Sequence, residues 1–252
     1  MKIAVVTGAS SGIGEATARE LAWRGWRPVL VARRRERLER LASEFGGEYE
    51  VCDVSDRADV DRAAAAILAR HPRIDLLVNN AGIPGRGNFF SLEPERIEAV
   101  LRTNYLGGVW MVRALEAGLQ PGSDIVNVVS VAGTVAFAPA GPYAASKHAQ
   151  LAFSRSLTGL LATRSVRVHT VLPGFVETEG FPQRSVLRNA FFRRAIIRPE
   201  LVAERIADAV ESGTRELFVP RWYRVFSLAQ ALLPGLSARL VARSGYKRPA
   251  SS

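Results

Sequence analysis

The chain has 252 residues, 48% of them hydrophobic and 23% charged, which is typical of one folded domain with a full core. Its formal net charge of +10 comes almost entirely from arginine, and because no nucleic-acid-binding motif accompanies that charge, we expect no nucleic-acid partner. The single cysteine, Cys52, excludes an internal disulfide, and no apolar run reaches the roughly 18 residues of a membrane-spanning helix, so we expect a cytoplasmic protein.

Short apolar runs alternate with longer helical ones along the chain. The short runs are apolar on both faces, which is typical of a parallel sheet covered by helices on both sides and joined by right-handed crossovers. The pattern predicts a doubly wound, Rossmann-type α/β fold, as one domain with a core at 1–219 and a C-terminal extension at 220–252. About seven strands are predicted, near 2–6, 28–32, 48–52, 74–79, 125–129, 166–172 and 216–219; predicted helices include 12–24, 35–45, 57–71, 94–118 and 143–163.

A glycine-rich segment at 7–14, Thr-Gly-Ala-Ser-Ser-Gly-Ile-Gly, joins the first predicted strand to the first helix. Glycines in this context let the backbone approach a pyrophosphate at the helix N-terminus. The spacing is one residue longer than the common dinucleotide fingerprint, and a glycine-rich turn without function is the alternative. The predicted cofactor contacts of this segment are Gly8, Ser10, Ser11, Gly12, Ile13 and Gly14.

Three arginines follow the second predicted strand, which ends at Ala32. An NAD-binding fold places an acidic residue about 20 positions past the glycines, and this strand ends without one. The guanidinium of Arg33, with that of Arg34, can instead pair with the 2′-phosphate of NADP, whereas Arg35 should point away. The alternative is that the arginines decorate the first turn of a solvated helix. We predict NADP(H) as the cofactor.

Tyr143 and Lys147 lie four residues apart at the start of a long predicted helix, so their side chains share one face. An unperturbed tyrosine has a pKa of about 10, and a cation held beside it favours the phenolate. Tyr143 could then exchange a proton with a substrate. A solvent-facing lysine below a packing tyrosine is the alternative for the pair taken alone.

Six segments in chain order resemble the short-chain dehydrogenase/reductase family, over roughly residues 1–219. They are the glycine segment, Asn79-Asn-Ala-Gly82, Asn104, Ser130, Tyr143 with Lys147, and Pro173-Gly174 followed by Val176 and Thr178. The resemblance implies an oxidoreductase that interconverts a carbonyl and an alcohol with a nicotinamide cofactor. It implies catalytic roles for Asn104, Ser130, Tyr143 and Lys147. The further cofactor contacts that we predict are Asp53, Val54, Asn80, Ala81, Gly82, Tyr143, Lys147, Pro173, Gly174, Val176 and Thr178.

Hydride transfer to a carbonyl creates an alkoxide, whose charge needs donors fixed in advance. Ser130 and Tyr143 would supply them, and Lys147 would also bond the nicotinamide ribose. Two roles are open for Asn104, which either holds a water that connects Lys147 to solvent or satisfies a kinked helix backbone. Asp53 is expected to meet the adenine ring, with an ordinary loop carboxylate as the alternative. The three histidines lack metal-ligand spacing, so we expect no metal.

The sequence departs from the family pattern after Val219. Many bacterial members, such as the ketoacyl-carrier-protein reductases, end soon after this point with a Gly-Gly segment that supports a tetramer, whereas this chain continues with an apolar, arginine-flanked stretch. We therefore expect a homo-oligomer that is a dimer rather than a tetramer. Trp222, Phe226, Ala229 and Leu233 share one helical face, which could pack on the domain, dimerise or contact a membrane surface peripherally.

Residues 175–198 are predicted to form a lid over the substrate. Their apolar side chains favour a bulky hydrophobic carbonyl or alcohol, such as a lipid, steroid or terpenoid. A 3-ketoacyl-type reductase and a nucleotide-sensing regulatory protein on the same fold are the alternatives. The lid residues on which this interpretation depends are Phe175, Phe181, Val186, Leu187, Phe191 and Phe192.

Overall fold

The computed structural model describes residues 1–85, 89–136, 141–179, 196–235 and 239. These residues contain a seven-stranded sheet whose strands are all parallel. The strands are β1 (Ile3–Thr7), β2 (Arg27–Ala32), β3 (Glu48–Val51), β4 (Leu76–Asn79), β5 (Asp124–Val128), β6 (Arg167–Pro173) and β7 (Glu216–Val219). They lie in the order β3-β2-β1-β4-β5-β6-β7, so the chain winds outwards in both directions from β1 and β4. The predicted doubly wound fold is confirmed, and the winding reverses between β1 and β4, where such sheets bind ligands.

Helices cover both faces of the sheet. They are α1 (Gly12–Trp23), α2 (Arg35–Phe45), α3 (Arg57–Arg70), α4 (Pro94–Leu101), α5 (Gly107–Ala114), α6 (Gly141–Ala162), α7 (Pro199–Ser212) and α8 (Arg224–Leu232). Helices α1, α2 and α7 pack on one face, and α3, α5 and α6 on the other. No helix of the described ranges is long and apolar enough to cross a membrane.

Alternation along the strands divides the core into these two layers. In β1, Ala4 and Val6 point towards α1 and α7, while Val5 points towards α3 and α5. All three side chains are fully buried. Burial of a valine or larger side chain stabilises the fold by roughly 1.5–3 kcal/mol. Because both faces of the sheet bury such side chains, the strands are continuous hydrophobic runs in the sequence.

The helix predicted at 94–118 is not continuous. A π-helical turn, Arg102–Leu106, separates α4 from α5, and a 3₁₀ turn, Glu116–Gly118, follows α5. A π turn inserts an extra residue into a helix and is often found at a functional site. Here it places Asn104 where its side chain faces the loop after β4. The periodicity of the sequence contained no signal for that insertion.

Candidate active site

The glycine-rich segment forms a tight loop between β1 and α1. Gly8 and Gly12 have φ angles of +66° and +58°, in the left-handed region that favours glycine. A Cβ atom on Gly14 would lie 2.4 Å from the carbonyl oxygen of Gly8, so the loop closes only with glycine there. The loop thereby brings the first turn of α1, with Ile13, to the sheet edge where a pyrophosphate binds in folds of this kind.

Thr7 joins this loop to the segment that follows β4. Its hydroxyl oxygen accepts the N–H groups of Asn80 at 3.0 Å and Ala81 at 3.1 Å, and its O–H donates to the carbonyl of Val78 at 3.2 Å. The Asn80 side-chain amide donates to the Thr7 carbonyl at 3.0 Å. Asn80 and Ala81 therefore hold the glycine loop in shape.

Arg34 lies against the glycine loop. Its guanidinium donates to the hydroxyls of Ser10 at 2.9 Å and Ser11 at 2.7 Å, and to the Ser10 carbonyl at 3.1 Å. Arg33, by contrast, is 67% exposed, and its guanidinium lies 3.5 Å from the carboxylate of Asp53. The structure thus brings Arg34, rather than Arg33, to the loop predicted to hold the cofactor phosphates.

Asp53 and Val54 follow β3 at the same edge of the sheet. The Asp53 carboxylate accepts the N–H of Ser55 at 2.9 Å and its hydroxyl at 2.7 Å. Burial alone would raise the pKa of Asp53, but these bonds and the charge of Arg33 outweigh it and lower the pKa. Val54 is buried, with its carbonyl 2.9 Å from where a Cβ on Gly107 would stand. Contact of Asp53 with adenine stays a prediction.

Tyr143 and Lys147 both lie in the first turns of α6. Lys147 is buried, and its Nζ lies 5.9 Å from the centroid of the Tyr143 ring. The ammonium donates to the carbonyl of Val128 at 3.0 Å and to Oε1 of Gln150 at 2.7 Å. Desolvation lowers the pKa of Lys147 to about 7. Because Lys147 is buried, the solvent-facing alternative for the pair does not apply.

Ser130 follows β5 and caps the 3₁₀ turn Val131–Gly133. Its Oγ accepts the N–H of Ala132 at 3.1 Å, so its O–H remains a donor for another partner. A Cβ on Gly133 would lie 2.8 Å from the carbonyl oxygen of Lys147, which shows that the turn packs directly on α6. Ser130 is thereby held beside the helix that carries Tyr143 and Lys147.

Asn104 is buried in the middle of the π turn. Its Oδ1 accepts the N–H of Ile83 at 2.7 Å, while its Nδ2 donates to the Ile83 carbonyl at 3.1 Å and to the Ser146 hydroxyl at 3.0 Å. A Cβ on Gly82 would lie 3.3 Å from the same Oδ1. These bonds favour a structural role for Asn104. The backbone groups that it satisfies belong to the loop after β4, however, and not to a kinked helix. Its catalytic role stays a prediction.

The stretch predicted to contact nicotinamide runs from the end of β6 towards the glycine loop. Pro173 is the last residue of β6, and Gly174, Val176 and Thr178 follow it. A Cβ on Gly12 would lie 2.9 Å from Cγ2 of Thr178, so this stretch borders the loop.

An aromatic wall lies beside Gly174. A Cβ on Gly174 would lie 2.3 Å from Cε2 of Tyr223, which belongs to the 3₁₀ turn Arg221–Tyr223. The Tyr223 ring meets the edge of Phe175 at 6.3 Å between centroids and stacks on Trp222 at 4.1 Å, and Trp222 meets Phe226 at 5.8 Å. The other side chains of the predicted lid, Phe181, Val186, Leu187, Phe191 and Phe192, lie outside the described residues.

The remaining candidate ligands have packing roles. Cys52 is buried, and desolvation raises the pKa of its thiol to about 12. His169 is also fully buried, with its ring nitrogens 2.7 Å from the Thr214 carbonyl and 2.8 Å from Asp124. Within the described ranges, no group of three or more His, Cys, Asp or Glu residues is placed to hold a metal ion.

Three further residues contact the predicted site residues or each other at the site, and they were not identified from the sequence. Gln150 stands one helical turn after Lys147, a spacing that could have identified it. Arg37 of α2 donates two hydrogen bonds to the carboxylate of Glu179, which also accepts one from Arg34. Arg37 and Glu179 are 142 residues apart, so no local pattern connects them.

Comparison with known proteins agrees with this geometry. The family model described as short chain dehydrogenase matches residues 2–186. The chain belongs to the short chain dehydrogenase family.

Several members of the short chain dehydrogenase family are similar to it over most of their length. A proposed ketoacyl reductase of the granaticin polyketide synthase from Streptomyces violaceoruber is 36% identical over 243 residues, covering 91% of this chain and 88% of that protein. A D-threitol dehydrogenase from Mycolicibacterium smegmatis is 39% identical over 188 residues, 71% of each chain.

Two solved short chain dehydrogenase structures share the fold closely. An alcohol dehydrogenase from the archaeon Thermococcus sibiricus, complexed with 5-hydroxy-NADP, is 29% identical with a TM-score of 0.77, covering 86% of this chain and 95% of that one. A variant of the actinorhodin polyketide ketoreductase with NADPH has the same TM-score and coverage at 30% identity.

Proposed function

We propose that the protein is an NADP(H)-dependent oxidoreductase that interconverts a carbonyl and a secondary alcohol. The observation that carries the proposal is the buried Lys147 ammonium, 5.9 Å from the Tyr143 ring centroid. Burial disfavours a charged lysine, and strongly shifted ionisable groups in a cleft are concentrated at functional sites. In a short chain dehydrogenase this pair has a direct use in proton transfer.

Carbonyl reduction requires separate roles of Ser130, Tyr143 and Lys147. When bound, NADPH supplies the hydride. The O–H groups of Ser130 and Tyr143 stabilise the negative charge that develops on the carbonyl oxygen. Tyr143 then gives its proton to the alkoxide, and the Lys147 ammonium stabilises the phenolate left behind. In the oxidative direction the same proton moves back to Tyr143.

The residues around the glycine loop fit a 2′-phosphorylated dinucleotide. Gly8 and Gly14 pack so tightly against each other and against Asn80 that neither could carry a side chain, and this packing shapes the loop that would hold the pyrophosphate. The end of β2 carries Arg33 and Arg34, and guanidinium groups bind phosphate oxygens in pairs. Two structural relatives were solved with 5-hydroxy-NADP and with NADPH, which supports the same cofactor here.

A bulky hydrophobic substrate is supported by the aromatic wall of Phe175, Trp222, Tyr223 and Phe226. Trp222 and Phe226 are 47% and 46% exposed, which is more aromatic surface than a solvated loop needs. The wall begins at Gly174, beside the predicted nicotinamide position, so a large apolar group on the substrate would pack against it.

A 3-ketoacyl-type reductase is the second candidate. The granaticin relative is named a ketoacyl reductase and matches 91% of this chain. Turnover of a β-ketoacyl thioester in preference to a bicyclic or aryl ketone would favour this candidate.

The experiment is the substitution Tyr143→Phe, assayed by NADPH oxidation with a panel of ketones. Removing one hydroxyl should leave cofactor binding and folding nearly intact and lower turnover by about a hundredfold or more, because the loss is confined to the transition state. The matched control is Tyr49→Phe. The Tyr49 hydroxyl bonds Glu39 on α2, away from the site, so its loss should not affect turnover.

A Tyr143→Phe variant within about tenfold of the parent rate would contradict the assignment. A parent protein that binds NADPH tightly but turns over no carbonyl compound or alcohol would instead indicate a nucleotide-sensing protein. A parent that prefers NADH would contradict the cofactor and leave the catalytic assignment in place.

A further inference from the structure

A cluster of three charged side chains lies at the edge of the glycine loop; we call Arg34, Arg37 and Glu179 the anion clamp. The Glu179 carboxylate accepts two hydrogen bonds from Arg37, the longer of them 2.9 Å, and a third from Nη1 of Arg34 at 3.2 Å. Hydrogen bonds from Arg37 and then Arg34 lower the pKa of Glu179 to about 2. The carboxylate is therefore ionised at any physiological pH.

The clamp joins two segments that both border the glycine loop, Arg34 at Ser10 and Ser11 and the stretch before Glu179 at Gly12. Arg34 and Arg37 belong to the start of α2, whereas Glu179 belongs to the stretch after β6. All three side chains are between 37% and 54% exposed, and exposed ion pairs contribute little to folding stability. Stability alone thus gives no reason for two guanidinium groups to converge on one carboxylate.

The place of the clamp suggests what else these arginines bind. Arg34 donates to Glu179 with one nitrogen and to the Ser10 and Ser11 hydroxyls with another. It follows β2, the strand end at which a dinucleotide fold meets the 2′ position of the adenosine ribose. A carboxylate and a phosphate both accept paired N–H groups from guanidinium, so each can take the same donors.

We propose that Glu179 is an internal competitor for the 2′-phosphate of NADP(H). Its carboxylate binds the two arginines of the anion clamp before the cofactor binds, and it releases at least Arg34 when the 2′-phosphate binds. The inference rests on the proposed function only in taking the cofactor to be 2′-phosphorylated. A 2′-phosphorylated nucleotide must then displace Glu179, and this lowers the apparent affinity of the protein for that nucleotide. A nucleotide without a 2′-phosphate does not compete with Glu179.

The test uses the full chain and two probes that require no turnover, adenosine 2′,5′-bisphosphate and 5′-AMP, titrated by calorimetry. Glu179→Gln keeps the shape of the side chain and removes its charge. We expect the bisphosphate to bind roughly three- to tenfold more tightly to this variant, with AMP changed less than about twofold.

The matched control is Glu44→Gln. Glu44 is also an exposed carboxylate paired with an arginine, Arg19, but it lies at the far end of α2. Its substitution should leave both probes unchanged. An equal gain in the two variants would mean that only net charge matters, and this would overturn the proposal.

A second variant pair tests the mechanism. In an Arg34→Ala, Arg37→Ala background, Glu179→Gln should no longer improve bisphosphate binding, because the arginines for which it competes are gone. Unchanged bisphosphate affinity in the single Glu179→Gln variant would overturn the proposal. Weaker affinity would overturn it as well, since Glu179 would then organise the arginines rather than occupy them.

The outcome for the parent separates this inference from the proposed function. If the parent binds AMP as tightly as the bisphosphate, the 2′-phosphorylated cofactor itself is contradicted. If the parent prefers the bisphosphate and Glu179→Gln changes nothing, only the role of Glu179 fails.

Discussion

The ammonium of Lys147 has two uncharged partners among the described residues, the Val128 carbonyl and Oε1 of Gln150. A buried charge held by neutral dipoles is sensitive to the loss of either one. Gln150 is itself buried, so its contact with Lys147 is not a solvated surface bond. We regard Gln150 as a positioning residue that helps to keep Lys147 protonated beside Tyr143.

The substitution Gln150→Met removes that acceptor while keeping a side chain of similar length. The pKa of Lys147, already lowered to about 7 by burial, should fall further, so the ammonium is lost at lower pH. The alkaline limb of the pH–rate profile for ketone reduction should therefore move down by about one pH unit. Gln120→Met is the control, because the Gln120 side chain bonds Arg73 and the Pro72 carbonyl and not Lys147. Loss of rate without a change in the profile would mean that Gln150 only fills space.

Asn104 offers a second test at this scale, because its amide bonds both backbone groups of Ile83. Asn104→Ala leaves the part-buried N–H of Ile83 without its acceptor and should lower the free energy of unfolding by roughly 1–3 kcal/mol, as measured with urea. Tyr143→Phe should change it far less. Full stability together with lost turnover would show that the Asn104 amide acts in the chemistry instead.

These residues also show how far the sequence could predict the site. The spacing of Tyr143 and Lys147 indicated a shared helix face, since helical geometry is local. Arg33 stays a predicted phosphate ligand, whereas the hydrogen bonds to the glycine loop are made by Arg34. Which of two neighbouring arginines turns inwards depends on where β2 meets α2, and no pattern in the sequence states that.

At the scale of elements, α8 is notable for the apolar side chains that it exposes in the described part of the chain. None of its residues is buried, and its exposed apolar side chains continue the aromatic wall. Phe226 packs on Trp222 and Tyr223, while the packing, dimer and membrane roles of the whole apolar face stay predictions. Tyr223, just before α8, is buried against Gly174, so truncation at Pro220 would also remove a core side chain.

We expect α8 to form a contact between two copies of the chain. The double substitution Leu228→Glu, Leu232→Glu places charges on one exposed face of α8 and leaves Tyr223 and the aromatic wall in place. Light scattering after size exclusion should show a dimer for the parent and a monomer for the variant. The matched control is Leu160→Glu, on the exposed part of α6. An unchanged mass, with loss of binding to anionic vesicles, would show that the face contacts a membrane instead.

The predicted strands agree with the sheet, because strand patterns are local. The strand periods were clear because β1, β4 and β5 are buried on both faces. The π turn at Arg102–Leu106 was not predicted, and it accompanies a tertiary contact, the bond between Asn104 and Ile83. The order of strands in the sheet is likewise set by crossovers, which leave no local trace.

For the whole molecule, pH acts through carboxylates whose partners lie on other elements. Asp124, at the start of β5, accepts two bonds from Arg167 and one from His169 on β6. Burial would raise the pKa of Asp124, but these bonds outweigh it and lower the pKa. Hydrogen bonds lower the pKa of Glu48 against burial in the same way, on β3.

The lowered pKa of Asp124 makes the free energy of unfolding depend on pH. A carboxylate with a lowered folded-state pKa stabilises the fold fully above its unfolded pKa of about 4, and that contribution is lost as pH falls through the folded value. Asp124→Asn should lower the free energy of unfolding at pH 7 by roughly 2–4 kcal/mol and flatten its decline below about pH 4. Urea unfolding across that range is the measurement. An equally steep acid decline in the variant would contradict this role for Asp124.

The fit of Tyr223 into the space left by Gly174 has a consequence for engineering. Because a Cβ at position 174 would stand 2.3 Å from the Tyr223 ring, the strand end and the extension form a matched pair. Consider a chimera that takes the C-terminal extension from a relative but keeps residues 173–175 of this chain. The side chain at position 223 would then not fit the backbone at Gly174. Substrate range in this enzyme should therefore be transferable only as a two-part cassette, taken from both places in the chain at once.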